Sequence, residues 1–177
     1  RDQGLTAAFH PVNRLDRGTS GLMAVAKHAH AHEGLQHQLQ EGTLRRAYLA
    51  VCEGVPVPRR GGVEAPIARA PGSVLKREVN PQGAPARTHY EVLATGRGRS
   101  LVALRLDTGR THQIRVHLAH LGCPLVGDFL YGEETEELPD RFALHSAAIW
   151  LRQPITGEGI VRRSLLPEAL AELLGAR

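Results

Sequence analysis

Residues 102–122 read VALRLDTGRTHQIRVHLAHLG, and the spacing of the apolar residues changes within this stretch. In its first part apolar side chains alternate with other residues, so that Val102, Leu104 and Leu106 fall on one side. A period of two residues is typical of a β-strand that turns one face towards a core. The first part therefore predicts a strand.

The second part of the same stretch has helical spacing. Ile114 and Leu118 are four residues apart and lie on one stripe of a helix. Thr111 is a residue type that caps helix starts, and Gly122 is one that ends helices. We therefore predict a helix over residues 111–121, directly after the strand.

The same two periods recur along the rest of the chain. Strands are predicted where apolar residues alternate, and helices where they recur every three or four residues. Together these elements predict an α+β fold, with a mixed, mostly antiparallel sheet and a few flanking helices. The further predicted strands cover residues 22–27, 47–52 and 88–93, one helix holds Leu35 and Leu39 before Gly42, and a last helix follows Pro167.

Composition sets broad limits on the class of protein. With 177 residues, 42% of them hydrophobic, the chain is expected to form one domain with its own core. The net charge of +4 is compatible with a polyanionic partner, at about even odds from charge alone. Two cysteines cannot make a disulfide framework, so a reducing cytoplasm is expected. No apolar run is long enough to span a bilayer, and no membrane partner is expected.

Residues 53–86 are rich in Pro, Gly and Arg, and they carry Arg69, Lys76 and Arg77. A solvated loop and a basic hairpin that contacts phosphates explain this segment equally well, because both would be exposed.

A short polar segment reads NRLDRGTSG over residues 13–21, and it places Asp16 between Arg14 and Arg17. Flanking positive charge favours the charged carboxylate, which can then act as a nucleophile. Judged on these residues alone, a surface aspartate in a salt-bridged turn is the commoner arrangement.

Two further side chains have uncertain roles when only the sequence is considered. Arg115 lies next to the apolar stripe of its helix, so it is expected to be half-buried and to need a carboxylate partner, for example the nearby Asp107. Tyr48 lies in a predicted strand, where a lone tyrosine most often belongs to the core.

Two other classes of enzyme have weaker support in the sequence. Four histidines cluster over residues 28–37, and His28 and His32 have a spacing that zinc sites use, but no Cys or acid completes a ligand set. A second set, His112, His117 and His120, lies on one helix and is equally incomplete. Residues 18–21 lack the spacing of a serine hydrolase. No metal site is predicted.

Several segments together resemble the RluA-like family of RNA pseudouridine synthases, and the match covers most of the chain in the family's order. Residues 11–27 resemble its first motif, residues 46–51 its second, residues 108–132 its third, and residues 144–146 and 154–158 its C-terminal segment. Several motifs in register are more specific than any one of them. The resemblance implies that residues 1–177 are one catalytic domain that lacks the family's N-terminal strand.

The resemblance also implies an activity and three catalytic residues. Such enzymes break the bond between ribose and uracil, turn the base and rejoin it through C5. Asp16 would attack the ribose or remove its C2′ proton, and Arg115 would pair with Asp16. Tyr48 would stack on the uracil, and its hydroxyl or a water would serve the proton transfer from C5. No metal or organic cofactor is implied.

The partner implied by the resemblance is a ribosomal or transfer RNA, bound by a cytoplasmic monomer that needs no protein partner. Arg14 would fill the gap that a flipped uridine leaves, and Leu144 would pack against its base. A non-catalytic RNA-binding protein on the same fold is the alternative. The other residues expected to contact RNA are Arg17, Arg69, Lys76, Arg77, Arg110 and His112.

Overall fold

The computed structural model describes residues 9–175. Within them the chain forms eleven strands and three helices, with one helix after the third, the ninth and the eleventh strand. The strands are β1 (His10–Pro11), β2 (Ser20–Gly21), β3 (Val25–Ala26), β4 (Arg45–Glu53), β5 (Arg60–Glu64), β6 (Ile67–Arg69), β7 (Arg77–Val79), β8 (Arg87–Gly96), β9 (Arg99–Leu106), β10 (Leu144–Arg152) and β11 (Gly159–Arg163). The helices are α1 (Ala29–Gln40), α2 (Gln113–His120) and α3 (Glu168–Glu172).

A seven-stranded mixed sheet forms the centre of the fold. Its strands follow the order β11-β10-β4-β9-β8-β5, all antiparallel, and β2 pairs in parallel with β10. Two separate two-stranded sheets join β1 to β3 and β6 to β7. The predicted α+β class with a mostly antiparallel sheet is confirmed. No helix within residues 9–175 has the length and hydrophobicity needed to cross a bilayer.

Both faces of the sheet are covered by apolar side chains. On one face Tyr48 of β4 belongs to the same core as Leu104 of β9 and Ile114 of α2. On the other face Val51 of β4 belongs to a core that includes Leu170 of α3. Because β4 contributes to both cores, the central strand holds its side chains in fixed positions.

The start of α2 differs from the prediction. The helix begins at Gln113, two residues late, and Thr111 is not its cap. His112 occupies the N-cap with a left-handed backbone (φ 57°, ψ 18°), and its side chain makes no capping hydrogen bond. The Gln113 side chain caps this turn instead, since it accepts a hydrogen bond from the N–H of Arg110 at 3.0 Å. Gly122, with φ 74°, ends the helix as predicted.

The strand predicted over residues 22–27 is reduced to β3. The N–H of Leu22 donates to the carbonyl of Ser146, and the N–H of Ala24 donates to the side chain of Asn13, both at 2.9 Å. These bonds tie the backbone to the segment before β2 and to β10. A regular strand ladder therefore forms only at its last residues.

The segment over residues 53–86 contains a hairpin, one of its two predicted forms. Strands β6 and β7 pair antiparallel, with Ile67 opposite Val79 and Arg69 opposite Arg77. The N–H of Arg77 donates to the hydroxyl of Tyr131 at 2.8 Å, which fastens the hairpin to the turn after α2.

Candidate active site

A cleft of about 1630 Å³ lies between the segment before β2, the start of α2 and the segment before β10. The structure brings together in its walls eight of the eleven residues that the sequence predicts for the site. These eight are Arg14, Asp16, Arg17, Tyr48, Arg110, His112, Arg115 and Leu144. The remaining three, Arg69, Lys76 and Arg77, are on the β6–β7 hairpin and do not line the cleft.

The loop that carries Asp16 is held in one shape. The N–H of Thr19 donates to the carbonyl of Asp16 at 2.8 Å, closing a tight turn. Gly21 has φ 103° and lies so close to the backbone of Ser146 that no side chain fits there. A Cβ on Gly18 would lie 2.6 Å from the ring of Phe142. These contacts leave the Asp16 side chain 28% exposed at the cleft surface.

Arg115 is more buried than expected, and its hydrogen bonds go to a carboxylate that the sequence analysis did not assign. Its Nε and Nη2 each donate to Asp128 at 2.7 Å, and both side chains are almost fully buried. Its Nη1 lies 3.9 Å from Oδ2 of Asp16, which is beyond hydrogen-bond distance. Asp107, the acid nearest in sequence, instead contacts Arg87 and His89.

Aromatic rings surround the guanidinium of Arg115. Its Cζ lies 4.2 Å from the ring centre of Phe142, 5.0 Å from that of Tyr131 and 5.7 Å from that of Phe129. Such contacts stabilise a cation and fix its orientation. Asp128 accepts hydrogen bonds from two of the three guanidinium nitrogens, and the third, Nη1, lies beside Asp16.

Tyr48 lies in the middle of β4, opposite Leu104 of β9 and Ser146 of β10, and is 5% exposed. Burial raises the pKa of its hydroxyl, the nearby Arg46 opposes this shift, and Asp16 adds to it. The hydroxyl is therefore protonated at neutral pH. The ring belongs to the core, as predicted for a strand tyrosine, and it also lines the cleft.

Arg141 also lines the cleft, although the sequence analysis did not single it out. Its Nη2 donates to the hydroxyl of Ser20 at 3.0 Å, and that hydroxyl is 2.9 Å from Nδ1 of His145. This chain of hydrogen bonds joins the segment before β10 to β2, directly after the Asp16 loop. Nothing in the spacing of Arg141 distinguishes it from the many surface arginines of the protein.

His117, one of the histidines considered as a zinc ligand, makes hydrogen bonds within the core instead. His117 is fully buried, and its ring nitrogens contact the Thr88 hydroxyl at 2.8 Å and the Ala65 carbonyl at 2.9 Å. Burial lowers its pKa. Within residues 9–175 no three His, Cys, Asp or Glu side chains converge on one point.

Comparison with known proteins shows which family this chain is similar to. A family model described as RNA pseudouridylate synthase matches residues 1–120. The uncharacterized RNA pseudouridine synthase YjbO of Bacillus subtilis is 44% identical over 171 residues, which are 97% of this chain and 60% of the relative. The ribosomal large subunit pseudouridine synthase D of Haemophilus influenzae is 41% identical, over 93% of this chain and 55% of the relative.

Solved structures agree with this similarity. Human RNA Pseudouridylate Synthase Domain Containing 1 superposes with a TM-score of 0.76 at 32% identity, over 89% of this chain and 69% of that one. Human RNA Pseudouridylate Synthase Domain Containing 4 gives a TM-score of 0.78 at 25% identity, over 98% of this chain and 77% of that one. The chain spans 60% of the length of YjbO and 55% of the length of the Haemophilus influenzae relative.

Proposed function

The chain belongs to the RNA pseudouridylate synthase family, as its resemblance to the RluA-like enzymes predicts, and from this premise we propose that it converts uridines of a structured RNA to pseudouridine with Asp16 as the nucleophile. In this isomerisation the bond between C1′ and N1 breaks, the base turns, and C1′ bonds to C5. The C5 proton leaves and N1 gains a proton, so the composition of the nucleotide is unchanged.

The observation that carries the proposal is the pair of Asp16 and Arg115 in the cleft. The Asp16 carboxylate is accessible to a substrate, and a buried cation lies 3.9 Å away. Arg115 already has a full hydrogen-bonded partner in Asp128, so it adds positive charge beside Asp16 without occupying the carboxylate oxygens. Such a carboxylate is free to attack the ribose or to remove its C2′ proton, and both routes remain open.

Tyr48 contributes a ring face and a neutral hydroxyl. The ring would stack on the uracil, which needs an aromatic surface once it leaves the RNA stack. Because its raised pKa keeps the hydroxyl protonated at neutral pH, Tyr48 offers no phenolate to accept the C5 proton, and this favours the route in which a water takes that proton. The hydroxyl would then position the water.

The walls of the cleft supply contacts for the rest of the target nucleotide. Arg14 is exposed at the rim beside Asp16, where a planar guanidinium would fill the gap left by a flipped uridine. Arg17 and Arg110 would contact phosphates, and Leu144 would pack against the base. These roles are part of the proposal.

The proposal also covers the RNA substrate, the oligomeric state and the cellular compartment of the protein. The substrate would be a ribosomal or transfer RNA, and the Haemophilus influenzae relative is named for the large ribosomal subunit. Residues 1–177 would act as one catalytic domain and as a monomer. Both cysteines, Cys52 and Cys123, are unpaired and buried, which fits a reducing cytoplasm.

Release of tritium from RNA labelled at uridine C5 tests the activity, because only turnover replaces that hydrogen. We expect the chain to release tritium from ribosomal or transfer RNA in which the target uridines are unmodified. Tight RNA binding without release would instead identify a non-catalytic RNA-binding protein. Mapping pseudouridines in cells that lack the protein would then locate the target.

A further inference from the structure

We propose that His112 binds the target nucleotide through a hydrogen bond donated by Nε2 of a neutral imidazole, and that Tyr131 fixes the ring in this form. The ligand is an acceptor oxygen of that nucleotide, which belongs either to the base or to the phosphate. The inference rests on the proposed function, because it assumes that the cleft holds a uridine nucleotide.

The contacts of the Tyr131 hydroxyl support this form of the imidazole. The Tyr131 hydroxyl accepts the backbone N–H of Arg77 at 2.8 Å, so this contact uses an oxygen lone pair. The hydroxyl oxygen is also 2.9 Å from Nδ1 of His112. The hydroxyl keeps one hydrogen that it can donate, and we infer that it donates this hydrogen to Nδ1 of His112. A neutral ring that accepts at Nδ1 carries its proton on Nε2.

The Nε2 atom is available to a ligand. The His112 ring is part of the cleft wall, and Nε2 makes no hydrogen bond within residues 9–175. It is also not among the buried polar atoms without a partner, so water or a ligand can reach it. A donor that faces the cleft beside Asp16 and Arg115 is in position to meet a nucleotide oxygen.

The surroundings of His112 favour the neutral ring. Burial is the largest influence and lowers its pKa, and the charges of Arg115 and Arg77 lower it further. Asp16 and Asp128 act in the opposite sense, but the net shift of the pKa is downward. At neutral pH the imidazole is therefore uncharged, and its Nε2–H is a donor without a net charge.

The N-cap position of His112 leaves its side chain without a capping role. The residue has φ 57°, a left-handed conformation that few residues other than glycine adopt, and Asn, Asp and His are the most frequent among them. It stands at the N-cap of α2, yet its side chain makes no capping hydrogen bond. The ring instead contacts Tyr131 and forms part of the cleft wall.

Nitrogen-15 NMR of the full chain tests the tautomer directly. We expect an unprotonated Nδ1 and a protonated Nε2 for His112 at neutral pH. Replacement of the partner by Tyr131→Phe should release this preference. A proton on Nδ1 in the wild-type protein would overturn the inference.

Three small probes then test the ligand. We expect uridine 5′-monophosphate to shift the Nε2 resonance of His112, and only one of its halves, uridine or ribose 5-phosphate, to reproduce the shift. A shift with uridine alone assigns the acceptor to the base, and a shift with ribose 5-phosphate alone assigns it to the phosphate. No shift with saturating uridine 5′-monophosphate would overturn the proposal. Because none of these measurements needs turnover, a failure of the proposed activity remains distinguishable.

Two substitutions separate the two ring nitrogens. His112→Asn keeps an acceptor near the position of Nδ1 and tolerates the left-handed backbone, but it loses the donor at Nε2. We expect it to melt at or above the wild-type temperature while binding uridine 5′-monophosphate about five- to tenfold more weakly, the effect of removing one hydrogen bond. His112→Gln places an amide donor near the position of Nε2 and should recover part of the affinity.

Arg97 provides a matched control, because it also has a left-handed backbone (φ 52°) but lies in the turn between β8 and β9. Arg97→Asn should relieve similar strain and leave nucleotide binding unchanged. If His112→Asn binds the nucleotide as tightly as the wild type and Arg97→Asn do, His112 has no role in binding.

Discussion

At the scale of single residues, Arg115 connects the core to the cleft. It lies between the buried carboxylate of Asp128 and the cleft carboxylate of Asp16. Its hydrogen bonds to Asp128 fix it, and its remaining nitrogen lies beside Asp16. The sequence could predict that a buried arginine on α2 needs an acid. It could not predict which acid, since Asp128 follows thirteen residues later in a turn whose path depends on tertiary contacts.

The two carboxylates beside Arg115 should therefore differ in their effect on stability. Asp128→Asn leaves a buried cation without its charged partner and should lower the free energy of unfolding by about 3 kcal/mol or more. Asp16→Asn removes a partly exposed group beyond hydrogen-bond distance and should cost less than about 1 kcal/mol. Urea unfolding of both variants measures the difference. Equal losses would show that Asp128 is not the structural partner of Arg115.

The variant Tyr48→Phe tests whether the Tyr48 hydroxyl takes part in the proton transfer from C5 of the uracil. Tyr48→Phe keeps the buried ring and removes only the protonated hydroxyl. We expect turnover to fall by about ten- to hundredfold while RNA affinity stays near that of the wild type. Single-turnover rates and binding constants on the same RNA provide the measurement. Wild-type rates would leave stacking as the only role of this residue.

At the scale of elements, the sequence predicted all three helices and the strands β3, β4, β8 and β9, but neither the other strands of the central sheet nor the turns that shape the cleft. The strand and helix periods over residues 102–122 were sufficient for β9 and α2. The left-handed turn at His112 was missed because Thr111 is the usual type of cap, whereas here the Gln113 side chain accepts the N–H of Arg110. Side-chain contacts of this kind depend on neighbours that no local pattern reveals.

The β6–β7 hairpin is the element best suited to bind RNA phosphates outside the cleft. Arg69 and Arg77 are directly opposite in register, an arrangement that repels unless an anion lies between or near them. Neither side chain has an ion-pair partner among the described residues, and Lys76 is exposed beside them.

Neutralising the hairpin should change the salt dependence of RNA binding. With Arg69, Lys76 and Arg77 replaced by Gln, the slope of log affinity against log salt should fall by about 0.7 for each phosphate of a single strand that the protein no longer neutralises. Affinity should drop for target and unrelated RNA alike, because phosphate contacts carry no sequence information.

A control with the same number of charges lies on the seven-stranded sheet, to which the hairpin does not belong. Arg152, Arg162 and Arg163 are exposed on β10 and β11. Replacing these three by Gln should leave the slope nearly unchanged. If both triple variants reduce the slope equally, only net charge matters and the hairpin is an ordinary surface segment.

At the scale of the whole molecule, three histidines that are wholly or partly buried make the fold sensitive to acid. Burial lowers the pKa values of His112, His117 and His145 below the ordinary value for histidine, about 6.5. The unfolded chain therefore binds protons at a higher pH than the folded chain does. Their contribution to stability is complete above about pH 6.5 and is lost as the pH falls towards the folded-state values.

We accordingly expect the free energy of unfolding to decrease between about pH 6.5 and pH 5, before most carboxylates titrate. The limit is about 1.4 kcal/mol per pH unit for each histidine that takes up a proton. Urea titrations at several pH values measure this slope. Constant stability across the interval would contradict the buried, neutral state of these histidines.

The central claim for the whole molecule is that the Asp16 carboxylate performs uridine isomerisation in this cleft. The most direct test compares tritium release from RNA labelled at uridine C5 by the wild type, Asp16→Asn and Asp107→Asn. Asp107 is a second carboxylate of the cleft wall, so its replacement makes the same change in charge. We predict that Asp16→Asn loses about a thousandfold or more in rate while it still binds RNA, and that Asp107→Asn keeps turning over. Near-wild-type release by Asp16→Asn would contradict the catalytic role of this carboxylate.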